Sequence, residues 1–366
     1  MKLITIGGAT TDIFIQNTQV SQLSFTLEYE ERSFILLEEG HKITIDTLNF
    51  HTGGGATNTA VSFKRLGFDV ATFLKTGEDK PSEFIIQRLV DTDINIEFVK
   101  RSGEFITGHS FIFPCKNGDR TVLAYRGAND HLNKHEIPKN LGDFDAYITS
   151  LSGESAEILL PMTRTLKAHS RTVAVNPGNN QLTCEQHNVY DSLANIDIFI
   201  VNATEASRFM RTMTERDPAF HEKVLQTKNP IPDANAPKLL QAPIAYQNVL
   251  LDIRLFCKEL LAHGPKIIVV TNGAEGVYVA SHEGILFHPS LPTHVINTLG
   301  AGDSFGSCFV AKYLEGKTIK EAMLYGIINA ASVLNYLDAK SGLLTANELQ
   351  RRYDDTAKDG YYWCSL

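Results

Sequence analysis

Short apolar runs bounded by polar turns recur along the chain, separated over most of its length by stretches with helical period. Leu3–Ile6 ends in Gly7-Gly8, and Val70–Leu74, Ile96–Val99, Ala146–Thr149, Val173–Val175, Ile198–Val201 and Ile267–Val270 repeat the pattern. Such alternation predicts an α/β fold: a doubly wound, mostly parallel central sheet flanked by helices. Helices are expected over Ala60–Leu66, closed by Gly67, and over Glu83–Val90, Leu250–Leu261 and Ala322–Leu337. Two regions lack the helical period. Ile13–Ile15, Leu23–Leu27, Phe34–Leu37 and Lys42–Ile45 are short strand-like runs, and Phe105–Pro114 with Thr121–Tyr125 forms a hairpin-like pair joined by Lys116–Asp119. They predict a small β-sheet flap, or lid, over 13–50 and 105–127, leaving 1–12, 51–104 and 128–366 as the core. Pro218, Pro230, Pro232, Pro237 and Pro243 break the rhythm of 212–247, which is expected to be a Pro-rich surface insertion.

With 366 residues, 43% of them hydrophobic, the chain can bury a large core. A formal net charge of −8 excludes a non-specific nucleic-acid binder, which needs a basic surface to release counterions. Cys115, Cys184, Cys257, Cys308 and Cys364 are an odd number with no Cys-x-x-Cys pair, which predicts neither a disulfide framework nor a zinc site. No segment reaches the roughly 18 uninterrupted apolar residues of a membrane span, and the start has no signal-peptide pattern. The expected setting is a reducing cytoplasm.

The chemistry centres on Asn297-Thr-Leu-Gly-Ala-Gly-Asp303-Ser304, which follows the strand-like Val295-Ile296 and opens a helix. Gly300, Ala301 and Gly302 let a ligand approach the backbone where helix-start N–H groups lack partners, and the helix dipole favours an anion there. A carboxylate that merely capped the helix would compete with that anion, so Asp303 is a candidate to take a proton from an attacking hydroxyl. An ordinary loop ending in an N-cap Asp fits the same residues. Asp12, just past the first strand, is a candidate for holding polar substrate groups, with a turn-capping Asp as the alternative. Gly53-Gly54-Gly55 before a helix, with the Asn58 amide, suits a hydroxyl-rich ligand or is simply a tight turn. Asn202 and Glu205 share one face of a helix start, suited to a hydrated Mg²⁺ and a phosphate, although a capping box has the same spacing. The turn Thr271–Gly276 would let a flat ring lie against backbone, and Asn329-Ala-Ala-Ser would allow close packing of its helix. Arg126 could contact substrate or decorate a solvated edge, and the latter is favoured.

In this order the pieces resemble the ribokinase-like carbohydrate kinase family, also called the PfkB family, over nearly the full length. One family signature is matched by Gly53-Gly54 through Asn58 to Leu66-Gly67, a second by residues 297 to 303, and the family's Asn-x-x-Glu by Asn202 and Glu205. The resemblance implies ATP-dependent phosphorylation of a primary hydroxyl on a small sugar. Asp303 looks like the family's catalytic base and Gly300, Ala301 and Gly302 like its anion hole. Asp12, Gly53, Gly54 and Asn58 are similar to sugar-holding positions. Asn202, Thr271, Gly273, Gly276 and Asn329 match nucleotide-side positions, and Glu205 would act on Mg²⁺ through water. Pairing of two copies through the lid is implied as well. Asn297 stands where the family usually has Asp beside a monovalent-cation site, so weak or absent K⁺ activation is expected. A sugar-contacting Glu of ribokinase aligns with Gly153 rather than Glu154, which argues against strict ribose specificity. The alternatives are an adenosine-type nucleoside kinase, with Phe14, Phe34 and Phe111 as base walls, and a non-catalytic sugar or nucleotide sensor.

Overall fold

Apolar side chains on both faces of a strand can be buried only if both faces of its sheet are covered, and the central strands of this chain meet that condition. In a computed structural model, which describes residues 1–16, 21–27, 30–114, 120–183, 188–226, 235–241, 244–246 and 249–366, they form a nine-stranded sheet. From one edge its order is Tyr362–Cys364, Gly284–His288, Val277–Ser281, Ile267–Thr271, Ile198–Asn202, Val173–Val175, Asp145–Ile148, Lys2–Ile6 and Asp69–Phe73. The strands from Asp69–Phe73 across to Ile267–Thr271 run parallel, and those beyond run antiparallel. Alternation along each strand feeds two cores. Ile4, Ile6, Phe199 and Val201 join Phe209 and Phe256 on one face, while Leu3, Ile198 and Ile200 join Phe63, Phe305 and Phe309 on the other. The expected doubly wound α/β architecture is present, and among the described residues no helix is long and apolar enough to cross a membrane.

A second, four-stranded sheet has the order Arg120–Tyr125, Gly108–Pro114, Thr10–Gln16, Thr47–Gly53. Ser21–Leu27 and Glu30–Leu36 pair separately as a hairpin. Three strand expectations fail. Lys42–Ile45 lies outside any strand with Ile43 and Ile45 exposed, and the strand is instead Thr47–Gly53, paired with Thr10–Gln16. Ile96–Val99 is a turn closed by Val99 N–H on Ile96 O at 2.9 Å. Val295-Ile296 lies in a coil, where Pro292 is close by and the Ile296 amide bonds Leu334 O at 2.8 Å instead of a strand neighbour.

The expectation of a surface insertion over 212–247 also needs correction. Pro218 opens the helix Pro218–Gln226, where a missing N–H costs nothing, and Pro237 directly precedes Lys238–Gln241. Phe220, Val224, Leu239 and Leu240 are buried in the core, so these two helices pack against the body. Pro230, Pro232 and Pro243, the turn Lys116–Asp119, Cys115 and Cys184 lie outside the described residues. Cys257, Cys308 and Cys364 are free thiols.

Candidate active site

Asp303 sits in the first turn of the helix Ala301–Leu314, whose N-cap, Gly300, adopts φ 77° and lends no side chain to the turn. Glycine is required there, because a Cβ would meet Ala339 in a backbone region L-residues rarely adopt. Gly302 is exposed with open space where a Cβ would stand, so this end of the helix offers bare backbone to the cleft. The helix is fixed in rotation by Ser307, which bonds Asp303 O at 2.6 Å and Ser62 Oγ on the helix Gly55–Arg65 at 2.7 Å.

That second helix carries Asn58, one of the candidates for the acceptor side. Asn58 Nδ2 donates to Asp303 Oδ2 at 2.8 Å, tying the Gly-rich turn to the carboxylate although 245 residues separate them. Asp12 lies within the strand Thr10–Gln16, buried, and accepts from Thr10 Oγ1 at 2.7 Å. Its carboxylate rests on Gly53, where any Cβ would overlap it. Asp12, Gly53, Asn58 and Asp303 therefore lie together, while Gly54, at φ 90°, packs against the backbone of Gly8 and Ala9.

Burial is the main reason that the Asp303 carboxyl is held above the usual carboxylate range, and Asp12 nearby pushes the same way. The Asn58 hydrogen bond, Lys340 and Arg120 oppose the shift. The balance makes Asp303 a stronger base than a surface aspartate. Asn58 Oδ1 and Ser304 Oγ, both beside it, are buried polar atoms with no hydrogen-bond partner among the described residues. Buried polar atoms of this kind mark where a polar ligand or water would bond.

The nucleotide-side candidates divide. The strand register sets Asn202 directly beside Thr271 at the carboxyl end of the sheet, and both line a cavity of about 300 Å³ with Asn179, Thr204, Arg208 and Gly273. Asn202 and Glu205 do form a capping box, each side chain accepting the other's backbone N–H at 2.8 Å. Burial raises the Glu205 pKa, and the negative charge of Asp303 adds to the effect, so two carboxylates share one electrostatic environment. Gly276 lies outside the lining of this cavity. Its φ of 127° and the nearness of His288 O make it a packing requirement. Asn329 is a correction: it is wholly buried, donates to Ser304 O at 3.2 Å and accepts from Leu344 N–H at 3.0 Å. It braces the Asp303 helix and lies outside the lining of that cavity. Phe14 is likewise fully buried against His51 and is no wall for a base. Arg126 is exposed, as favoured, and Glu154 lies at the surface 3.4 Å from His131.

Four charged residues of the cleft escaped the sequence reading. Arg120, from the small sheet, donates to Thr298 Oγ1 beside the Gly300 turn. Lys340 bonds Thr52 and Thr57, and Asp338 lies 3.7 Å from His51. None of these three has a local motif. Arg208 had one, since it stands three positions after Glu205 on the same helix face.

Among curated proteins the chain is 23% identical over 326 residues to an ATP-dependent 6-phosphofructokinase of Thermoanaerobacterium thermosaccharolyticum, covering 87% of this chain and 90% of the relative. It is 23% identical over 312 residues to a ribokinase of Haemophilus influenzae, covering 84% and 89%. The fold is similar to that of Arabidopsis thaliana ribokinase complexed with ribose and ATP, at TM-score 0.72 and 18% identity over 96% of this chain and 98% of the other. It is also similar to that of a Methanocaldococcus jannaschii nucleoside kinase, at TM-score 0.70 and 18% identity over 97% and 98%. The family described as pfkB family carbohydrate kinase matches residues 18–229 and 240–346, which span the Gly-rich turn, the Asn202–Glu205 box and the Asp303 helix. A match of that extent, on a fold that gathers these three elements around one sheet, makes the chain a member of the pfkB family of carbohydrate kinases.

Proposed function

We propose that this kinase transfers the γ-phosphate of ATP to a primary hydroxyl of a small sugar, with Asp303 as the base. The observation that carries this reading is a carboxylate, made more basic by burial and held by Asn58, at a helix start whose backbone is bare. A bound anion and a proton acceptor are needed at one point in phosphoryl transfer, and both are supplied there. Asp12, Gly53, Gly54 and Asn58 hold the acceptor. Asp303 takes the hydroxyl proton as the oxygen attacks, and the amides at Gly300, Ala301 and Gly302 receive the negative charge of the phosphate.

Asn202, Thr271 and Gly273 hold the nucleotide in the polar cavity that they line. Mg²⁺ would be held near Glu205, through water, and would neutralise phosphate charge. The fit is electrostatic, since the Asp303 charge raises the cost of ionising Glu205 and a divalent cation relieves that repulsion. The small sheet, joined to the core through Thr10–Gln16 and Thr47–Gly53, acts as a lid that keeps water from replacing the acceptor. Its exposed Leu48, Phe50, Phe111, Leu123 and Tyr125 suit pairing with the lid of a second copy.

The test is a coupled ADP-release assay with ATP and Mg²⁺ over a panel of pentoses, hexoses, sugar phosphates, sugar acids and nucleosides. Thermal shifts on the same panel provide a second readout, since a bound acceptor stabilises the fold by mass action. Acceptor-dependent turnover of a sugar supports the assignment. Turnover of nucleosides alone would move it to a nucleoside kinase, and binding without any turnover would make the protein a sensor.

A further inference from the structure

Between the two halves of the site runs the segment Leu337–Ser341, a series of turns and bends after the helix Ile319–Val333. On the phosphate side, Leu337 O accepts from Asn297 Nδ2 at 2.8 Å, and Ala339 packs where Gly300 has no side chain. On the acceptor side, the Lys340 ammonium donates to Thr52 O, to Thr52 Oγ1 at 3.0 Å and to Thr57 Oγ1 at 3.0 Å. An ammonium has three protons, so these acceptors use all of them. Thr57 Oγ1 in turn donates to Gly53 O at 2.7 Å, which passes the grip on to the Gly-rich turn itself. Asp338 stiffens the segment by accepting from the Lys340 amide at 2.8 Å, from the Ser341 amide at 2.9 Å and from Ser341 Oγ.

Burying an ammonium on neutral oxygens is costly, and a packed apolar side chain would hold a loop at less expense. The cost is visible in the Lys340 pKa, pushed down to about 8 by burial although Asp12, Asp338 and Asp303 favour the charge. The charges that act on it are Asp12 from the strand Thr10–Gln16, Asp303, and Asp338 of its own segment, and the cavity it lines is also lined by His51, by Arg65 from the helix Gly55–Arg65, and by Arg88 and Asp91 from the helix Lys80–Asp91. A costly group kept at a cleft is a candidate for function.

We propose that Leu337–Ser341 is a strap that sets the spacing between the bare helix start at Gly300 and the Gly53 turn, with Lys340 as its clamp. Lys340 is then a positioning residue, because its three protons are taken by Thr52 and Thr57 and it acts on the reaction through those residues and Gly53. The proposal that the clamp governs rate rests on the kinase reading above; the physical coupling of the two turns does not.

Two measurements separate these. In Lys340→Met, hydrogen exchange read by mass spectrometry is expected to speed up together in 52–58 and 304–307, the first helical amides behind Gly300, of which Ser304 N–H is held by Gly300 O at 2.8 Å. Loss of protection confined to one of the two segments, or in neither, overturns the strap whether or not the protein is a kinase. With an acceptor identified on the panel, Lys340→Met is expected to lower kcat by about a hundredfold, the effect of a misplacement near 1 Å, while the KM for ATP changes by less than about threefold. Activity of the unmutated protein is expected to fall as pH rises through about 8, and Lys340→Arg, which stays charged, to move that limb upward. A kcat within about threefold of the parent, or a loss that only follows the folded fraction with the alkaline limb unmoved, overturns the clamp. Should Lys340→Met fail to fold, Thr57→Val keeps the ammonium, removes one acceptor, and is read in both assays with the same criteria.

Discussion

Replacing Asp303 by Asn is expected to do two opposite things, and their combination separates a catalytic carboxylate from a structural one. The substitution preserves shape and leaves an oxygen to accept the 2.8 Å bond from Asn58 Nδ2, so the helix start keeps its geometry. It removes the proton acceptor. Loss of a general base costs about 10²- to 10⁴-fold in rate, or roughly 3 to 5 kcal/mol of transition-state stabilisation. Stability is expected to move the other way. A carboxyl whose pKa is higher folded than unfolded binds its proton more tightly in the folded state, so the folded state loses stability as pH rises through that interval. At neutral pH the ionised side chain therefore costs stability, and Asn, being neutral, relieves the cost. The gain should shrink as pH falls and vanish below the ordinary Asp value of 3.8, where the carboxyl is protonated in both states. The assays are ADP release under saturating acceptor and calorimetric unfolding across that pH range. A variant that retains turnover within about tenfold of the parent, or that is less stable than the parent at neutral pH, would refute the reasoning.

Three further outcomes are expected. Gly300→Ala forces a Cβ against Ala339 at φ 77° and should abolish turnover while acceptor binding, read by calorimetry, persists; weakened binding with normal kcat would contradict the anion-hole role. Glu205→Gln keeps the capping box but removes the charge, so the Mg²⁺ concentration for half-maximal rate should rise at least about tenfold with little change in melting temperature. An unchanged Mg²⁺ dependence would return Glu205 to capping alone. Exchange of Na⁺ for K⁺ should leave the rate unaltered, because Asn297 is a neutral amide already committed to Leu337 O and to the Leu299 N–H; a large rise with K⁺ would refute this.

The parallel sheet was legible because strands buried on both faces must be apolar throughout, as Ile198–Val201 and Ile267–Val270 are. Thr47–Gly53 was not, since its Thr, Asn and His read as loop residues and its partner, Thr10–Gln16, lies far back in the chain. Lys42–Ile45 shows the converse, a good strand pattern that forms no strand among the described residues. At the site, Asp303 and the Gly-rich turn were legible because bare backbone at a helix start has a local signature. Lys340 was not: its bond to Thr52 spans 288 residues, and nothing near it in sequence announces a clamp. Asn329, placed on the nucleotide side by the family resemblance alone, lies on a helix buried on nearly every side, where the small residues pack against neighbours and the amide serves as an internal brace.

The most direct test follows phosphorus rather than ADP. ATP labelled in its γ-phosphate is mixed with the protein, Mg²⁺ and an acceptor from the panel, quenched within one turnover, and the label is located by mass spectrometry. The account expects the label on a primary hydroxyl of the acceptor in the parent protein, and at least about a hundredfold less in Asp303→Asn. Label found only on water, or equally on the acceptor in both proteins, would contradict it.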